Sequence, residues 1–315
     1  GRSKYVILHG SNSGTCNLGS KVAHLILAKS EIPFAVLEHD FQRPTHGIDV
    51  VGLLEFKLGV GCNQCVPVRL LISLRKEQIK AFVEKRKSDN KSIPKIASIL
   101  VGNDGGSIYY MNSQEKTAVS LGVLFEKVVL DENTTESELI NVIEKLNNDK
   151  SVSGIIMQLP LPKHINEKVV VNKIWSKKDI DCLTTESVGK MYMGEDSFMP
   201  CTPLSVITLL KSLDIKLQGK RAVVIGRSNI VGKPVYELLL RENATVTICH
   251  SKTENLKEVT KEADILVSAI GRPKFIDDTF IKEGAVVIDV GTSSFEGKIT
   301  GDVDFDKVIN KASRV

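Results

Sequence analysis

Short unbroken apolar runs alternate along this chain with stretches whose apolar positions return every third or fourth residue. The first pattern predicts buried strands and the second predicts amphipathic helices. Runs at 94–101, 124–130, 152–158, 222–225, 245–249, 265–269 and 286–290 read as strands, and helical spacing covers 68–87, 136–147 and 204–213. In the first of these helices the apolar stripe is Leu71, Leu74, Ile79, Phe82 and Val83, a core-facing set. Strands that alternate with helices predict parallel sheets. The expected fold class is α/β in two domains, an N-terminal α/β domain at 68–203 and a C-terminal Rossmann-like, doubly wound parallel sheet at 204–315. Residues 1–67 read as a βαβ-like extension and linker, with strands at 4–9 and 34–38, a helix at 17–29, and irregular Gly- and Pro-containing chain at 41–67.

Ligands of open α/β sheets bind beyond the carboxyl ends of the strands, so the chemistry is sought there. The strand at 222–225 ends in Gly226-Arg-Ser-Asn-Ile-Val-Gly232, and a helical pattern follows. A strand, a tight glycine turn and a helix N-terminus present backbone N–H groups and the positive end of a helix dipole to an anion. Gly226 and Gly232 are kept while Ser228 stands at the middle glycine position, a poor match to Gly-x-Gly-x-x-Gly in a good βαβ setting, and all three are expected to bind the cofactor. Enzymes that take NAD typically end the second strand of such a unit in a carboxylate that binds the ribose 2′-hydroxyl. Here that strand ends in His250-Ser-Lys252, with no carboxylate to repel a 2′-phosphate. Ser251 and Lys252 can bind that phosphate and Arg227 can approach it from the first turn, which points to NADP; the plain alternative is a solvated loop. Gly271, Gly291 and Thr292 follow the third and fourth strands and are expected to line the nicotinamide side. His250 is expected to be a neighbour of the cofactor and no proton donor.

Composition narrows the partners. The chain has 315 residues, 42% apolar and 25% charged, ordinary values for a globular protein. A net charge of +4 suits anionic small molecules, and no Lys/Arg stripe with interleaved aromatics marks a nucleic-acid surface. No apolar run is long enough for a membrane span, and the N-terminus lacks the charged, apolar, small order of a secretory signal. A cytoplasmic protein is expected. Of six scattered cysteines only Cys62 and Cys65 are close, with no second pair or His-x-His partner nearby, so free thiols and no metal site are expected. Gly10-Ser-Asn-Ser-Gly-Thr15 resembles the FMN-phosphate loop of flavodoxin-like reductase domains over about the first 40 residues. The later isoalloxazine-binding aromatics are missing, which favours a βαβ decoration or fragment instead. The chain begins at Gly1 rather than Met, so this end is expected to be processed or truncated.

Five motifs then fall into one register. Val101-Gly-Asn-Asp-Gly-Gly-Ser-Ile-Tyr-Tyr110, Gln158-Leu-Pro-Leu-Pro162, Lys178-Asp-Ile-Asp181, Pro200-Cys-Thr-Pro203 and Gly226-Arg-Ser-Asn-Ile-Val-Gly-Lys-Pro234 occur in order along the chain. Their order and spacing resemble those of the methylenetetrahydrofolate dehydrogenase/cyclohydrolase family over roughly residues 68–315. The resemblance implies a two-domain enzyme with a folate cleft between the domains. It implies oxidation of 5,10-methylenetetrahydrofolate by NADP, then hydrolysis of the methenyl product to 10-formyltetrahydrofolate. By position Tyr110 would stack on the pterin, Gln158 would support the cyclohydrolase machinery, and Asp181 would bind the amino-pyrimidine edge. A carboxylate can accept two hydrogen bonds from such an edge in a fork. Tetrahydrofolate derivatives are the expected substrates, and a homodimer is expected because many Rossmann enzymes pair through the cofactor domain.

The departures are specific. Where the family usually carries its catalytic Lys, four residues after the tyrosine, this chain has Gln114. An amide does not titrate in the range where a lysine of lowered pKa can move a proton. Lys116 lies about 200° further round the helix at about 100° per residue, so it does not replace the missing amine. Cys182 stands where Gly usually follows the pterin-binding Asp, and the sequence stops at Val315, where a Pro-Gly-Gly-Val-Gly-Pro segment and a last helix would normally follow. The expectation is that hydride transfer survives these changes better than hydrolysis. Two readings compete with it. One is a different two-domain NADP oxidoreductase of the shikimate type, whose Lys/Asp pair Gln114 argues against. The other is an inactive folate- and NADP-binding relative.

Overall fold

The structure, a computed structural model, describes residues 66–295 and 298–315. The expected N-terminal strands and helix, the loop resembling an FMN site, and the Cys62–Cys65 pair lie outside the described residues. Two compact units carry the rest, Ile72–Cys201 and Thr202–Val315, the second also taking in 66–71.

In the first unit, helix α1 (Val66–Ser88) leads into strand β1 (Lys95–Val101), helix α2 (Gly105–Ser120), strand β2 (Leu124–Leu130), helix α3 (Glu136–Asn148) and strand β3 (Val152–Met157). The three strands form a parallel sheet in the order β2-β1-β3. Strand β1 is central and covered on both faces, which is why its sequence is apolar apart from Lys95 at its start and Ser98. Successive side chains of a strand point to opposite faces. Ile96 packs with Ile79, Val83, Ala118 and Leu121, whereas Ala97, Ile99 and Val101 pack with Leu139, Ile143 and Leu146. Helix α3 opens with a capping box, the Thr135 hydroxyl accepting from Glu138 N–H and the Glu138 carboxylate accepting from Thr135 N–H. Two short helices, α4 (Glu167–Val171) and α5 (Thr185–Met193), complete the unit and have no counterpart in the sequence expectation.

Helix α6 (Cys201–Ser212) starts the second unit, earlier than the expected 204. Pro203 therefore sits in the first helical turn, where its missing N–H removes no intrahelical bond. Strand β4 (Arg221–Ile225), helix α7 (Gly232–Arg241), strand β5 (Thr245–Cys249), helix α8 (Leu256–Lys261), strand β6 (Ile265–Ser268), a 3₁₀ turn (Asp278–Phe280) and strand β7 (Val286–Asp289) follow. These strands form a parallel sheet in the order β5-β4-β6-β7, the winding expected from the alternation. An antiparallel ribbon of β8 (Ser293–Phe295) and β9 (Lys298–Thr300), then helix α9 (Phe305–Val308), were not anticipated. Val223, Ile225, Leu266 and Val287 pack under Phe280, Ile281, Val303 and Val308. Among the described residues no helix is long and apolar enough to cross a membrane.

Candidate functional site

Each parallel sheet reverses its winding direction once. In the first unit the chain passes from β1 to β2 on one side and then to β3 on the other, so the crevice falls at the carboxyl ends of β1 and β3. In the second unit the same reversal falls at β4 and β6. These two edges hold most of the residues singled out by sequence.

At the first edge the Gly-rich turn after β1 is an N-cap. The Asp104 carboxylate accepts from Ser107 N–H and Ser107 Oγ, both at 2.8 Å, and the Ser107 N–H holds the acid below its usual range. The helix so started carries Tyr110 and, one turn on, Gln114. Gln114 is fully buried and Gln158, just beyond β3, is nearly so. Gln158 Nε2 donates to Gln114 Oε1 at 2.8 Å and to Ser98 Oγ at 2.9 Å. The structure thus joins two of the predicted residues and adds a third, Ser98 of β1. Ser98 was missed, although a hydroxyl inside the run Lys-Ile-Ala-Ser-Ile-Leu-Val was its signal. Strand alternation puts it on the face of Ile96, beneath α2.

One donor in this cluster is unmet. Gln114 Nε2 is buried with no hydrogen-bond partner. Such a group costs about 1–3 kcal/mol unless something bound supplies an acceptor. Tyr110 is half-buried, and burial, with the neighbouring Tyr109 phenol, pushes its hydroxyl up to about 12, so it is a neutral ring and O–H donor at neutral pH. Lys116 is exposed, on another face from buried Gln114, as its helical offset predicts.

Asp181 reaches the same sheet by a different route. A parallel bridge pairs Asp179 with Ile155 of β3, and Ile155 N–H donates to Lys178 O at 2.7 Å. Lys178 Nζ is anchored at the C-terminal end of α3, on Leu146 O at 2.8 Å and on the O of the C-cap Asp149 at 2.7 Å, and burial lowers its pKa. The buried Asp179 carboxylate accepts from Leu183 N–H at 3.0 Å and Thr184 N–H at 2.8 Å. Those bonds hold the tight turn in which Cys182 has φ +54°, a left-handed backbone that explains a preference for glycine there. Half-buried Asp181 is presented by this turn, and Cys201 Sγ lies 3.7 Å from its Oδ1.

At the second edge the two glycines of the turn are required by packing. A Cβ on Gly226, whose φ is +125°, would overlap the Ala269 carbonyl, and a Cβ on Gly232 would overlap the Gly226 carbonyl. The absence of side chains here lets the start of α7 pack against the ends of β4 and β6, the close strand–turn–helix approach on which a phosphate-binding turn depends. Ser228 Oγ accepts from Val231 N–H and Gly232 N–H, both at 3.2 Å, so the serine at the middle position caps the turn itself. Arg227, Ser251, Lys252, Gly271 and Thr292 are exposed along this edge, and Gly291 is half-buried. The His250 turn is self-contained, His250 Nδ1 accepting from Lys252 N–H at 3.1 Å and Thr253 Oγ1 from His250 N–H at 2.9 Å.

Comparison with known proteins agrees with this division. Residues 71–181 match the catalytic domain of tetrahydrofolate dehydrogenase/cyclohydrolase, and residues 200–315 match its NAD(P)-binding domain. The "Bifunctional protein FolD" of Clostridium botulinum (strain Alaska E43 / Type E3) is 71% identical over 238 residues, 76% of this chain and 84% of that protein. The crystal structure of the bifunctional enzyme FolD, methylenetetrahydrofolate dehydrogenase/cyclohydrolase, from Campylobacter jejuni superposes with a TM-score of 0.75 at 42% identity, covering 78% of this chain and 87% of that one. The Trypanosoma brucei enzyme complexed with NADP cofactor and inhibitor gives a TM-score of 0.72 at 33% identity, with the same coverages of 78% and 87%. With both halves matched in order, this chain belongs to the tetrahydrofolate dehydrogenase/cyclohydrolase family.

Proposed function

We propose that the protein oxidises 5,10-methylenetetrahydrofolate to 5,10-methenyltetrahydrofolate with NADP, and that its cyclohydrolase step is weak. The observation that carries this reading is Gln114, buried where the family usually has a lysine and bonded through its carbonyl to Gln158. Oxidation needs no protein base: the bridging methylene carbon loses a hydride and the adjacent nitrogen lone pair stabilises the cation left behind. NADP supplies the hydride acceptor when bound. Hydrolysis differs, because water must be deprotonated as it adds and the ring nitrogen must receive a proton, and a neutral amide does neither.

The remaining roles follow in the same reading. Residues 68–203 form the folate domain, in which Tyr110 stacks on the pterin, Asp181 receives the amino-pyrimidine edge, and Gln114 Nε2 donates its unmet bond to bound folate. Residues 204–315 form the NADP domain. The tight turn that Gly226 and Gly232 permit takes the pyrophosphate at the N-terminus of α7, with Ser228 shaping the turn. Arg227, Ser251 and Lys252 take the 2′-phosphate, and the backbones at Gly271, Gly291 and Thr292 flank the nicotinamide end. The protein acts as a homodimer in the cytoplasm.

One assay that follows NADPH formation and methenyl absorbance together tests the central claim. NADPH and the methenyl product should rise together, with slow decay of the latter. Rapid methenyl hydrolysis without NADP-linked oxidation sinks it, and binding of both ligands without turnover supports an inactive relative.

A further inference from the structure

The cofactor unit buries two carboxylates that neither hydride transfer nor phosphate binding uses. Asp289 closes β7 and Asp302 follows β9, at 2% and 0% exposure. Asp302 Oδ2 accepts from Ser268 Oγ at 2.9 Å and from Ile270 N–H at 2.8 Å, while Oδ1 accepts from Arg272 N–H at 2.7 Å. Asp289 Oδ1 accepts from Asp302 N–H at 3.0 Å and Gly291 N–H at 3.2 Å, and Oδ2 from Val303 N–H at 3.0 Å. The fit is tight: a Cβ on Gly291 would overlap the Asp302 carboxylate, and one on Gly301 the Asp289 carboxylate.

Every donor to Asp302 comes from the segment that leaves β6 at the reversal point. Once the chain passes Ser268 it runs beyond the end of the β6 ladder, and its N–H groups need acceptors from elsewhere. Ala269 N–H still bonds Ile225 O of β4 at 2.8 Å, but Ile270 and Arg272 turn to Asp302. A carboxylate suits this task because it is acceptor-only, whereas an amide of the same shape would present a donor to one of those N–H groups. The carbonyl of Ala269, against which Gly226 packs, lies inside the segment so held.

We propose that Asp302 is a positioning residue for NADP, holding the backbone of 269–272 in the single geometry that the nicotinamide end meets, with Asp289 fixing Asp302 in turn. This rests on reading the unit as an NADP site. The test measures NADPH affinity by fluorescence, KM for NADP, KM for folate and the melting temperature of the full chain, in wild type, Asp302→Asn, Ser268→Ala and Val308→Ala. Val308 is a buried side chain of the same unit that reports plain loss of core packing. Asp302→Asn should weaken NADPH binding and raise KM for NADP by about tenfold, leaving KM for folate within about twofold. Ser268→Ala, which keeps both N–H bonds, should weaken NADPH binding by about threefold. Val308→Ala should lower the melting temperature and leave KM for NADP unchanged. If Asp302→Asn melts lower but binds NADPH like wild type, Asp302 is only structural and the proposal fails. Should that variant not fold, an unchanged NADPH affinity in Ser268→Ala overturns it equally. A wild type that binds no NADPH instead removes the NADP reading, and this proposal with it.

Discussion

The two units wind in the same way and fill their reversal points in opposite ways. Both run from a central strand to a neighbour on one side and then to a strand on the other, giving β2-β1-β3 and β5-β4-β6-β7. In the first, the crevice holds side chains: Ser98, Gln114 and Gln158 form a buried polar chain between strand and helix. In the second, Gly226 and Gly232 have none, and the backbone itself lines the crevice. A ligand that must be discriminated atom by atom suits the first arrangement, and a phosphate that needs close N–H groups suits the second. In the proposed function the shared topology sets where each ligand goes, and the residues at the reversal decide what kind it is.

The strongest way to break this contrast is to put a side chain where only backbone fits. In Gly232→Ala the new Cβ overlaps the Gly226 carbonyl, and backbone has no rotamer by which to yield. NADPH affinity should fall by about a hundredfold or more, since the turn must open by more than a hydrogen bond tolerates. Folate binding measured by tyrosine fluorescence should stay within about threefold, because Tyr110, Gln114 and Gln158 belong to the other unit. Equal losses of both ligands would mean that the units are not separate binding modules.

Restoring an amine to the filled crevice is the second test. Gln114→Lys should raise methenyl hydrolysis by about tenfold or more while NADP-linked oxidation changes by less than about threefold. The buried site would lower the pKa of that amine by desolvation, towards the range where a lysine can exchange protons. No gain in hydrolysis, in a variant that still oxidises substrate, would mean that the weak step lies elsewhere in the pocket.

Protonation separates the units as well. The first crevice joins neutral amides and a hydroxyl, whereas beneath the second lies Asp289, which burial pushes up to about 7 from 3.8 despite three N–H donors. A carboxyl raised on folding binds more protons in the folded than in the unfolded protein between those values. Stability should therefore fall as pH rises from about 4 to about 7 and level off above. Asp264 works in the other direction: its bond to Lys282 holds it below 3.8, so its contribution is lost only under more acidic conditions. A melting temperature that drops by a few degrees between pH 5 and pH 7.5 should flatten in Asp289→Asn. An unchanged slope would mean that the carboxyl is ionised throughout.

Much of this was legible in the sequence because it depends on period and punctuation. The strand runs, the glycine turn and the positions of Tyr110, Gln114, Gln158 and Asp181 all follow from local pattern and motif register. What escaped was long-range. Asp302 meets Ser268 across 34 residues and Gln158 meets Ser98 across 60, and neither pairing leaves a local trace. Ser228 stood out as a departure from the middle glycine, and the structure adds that its hydroxyl accepts from two N–H groups of its own turn. Cys182 stood out only as a missing glycine until its positive φ, and the Asp179 bonds that enforce it, supplied the reason.

The smallest predicted effect concerns that missed serine. Ser98→Ala removes one of two acceptors of Gln158 Nε2 and should destabilise the first unit by about 1 kcal/mol, with oxidation altered by less than about threefold. Its interest is in combination. A hydroxyl both donates and accepts, whereas a lysine ammonium only donates. With Gln114 present, Ser98 accepts from the Gln158 amide nitrogen, and Gln114 does the same through Oε1. In the Gln114→Lys background the carbonyl of Gln158 must turn to face the ammonium, and Ser98 can follow only by reversing its role and donating. Ser98→Ala should therefore be more damaging in that background than alone, with a coupling of about 0.5 kcal/mol or more in a double-mutant cycle read by hydrolysis rate and melting temperature. Additive effects would show that Ser98 fills space beneath α2 and takes no part in orienting Gln158.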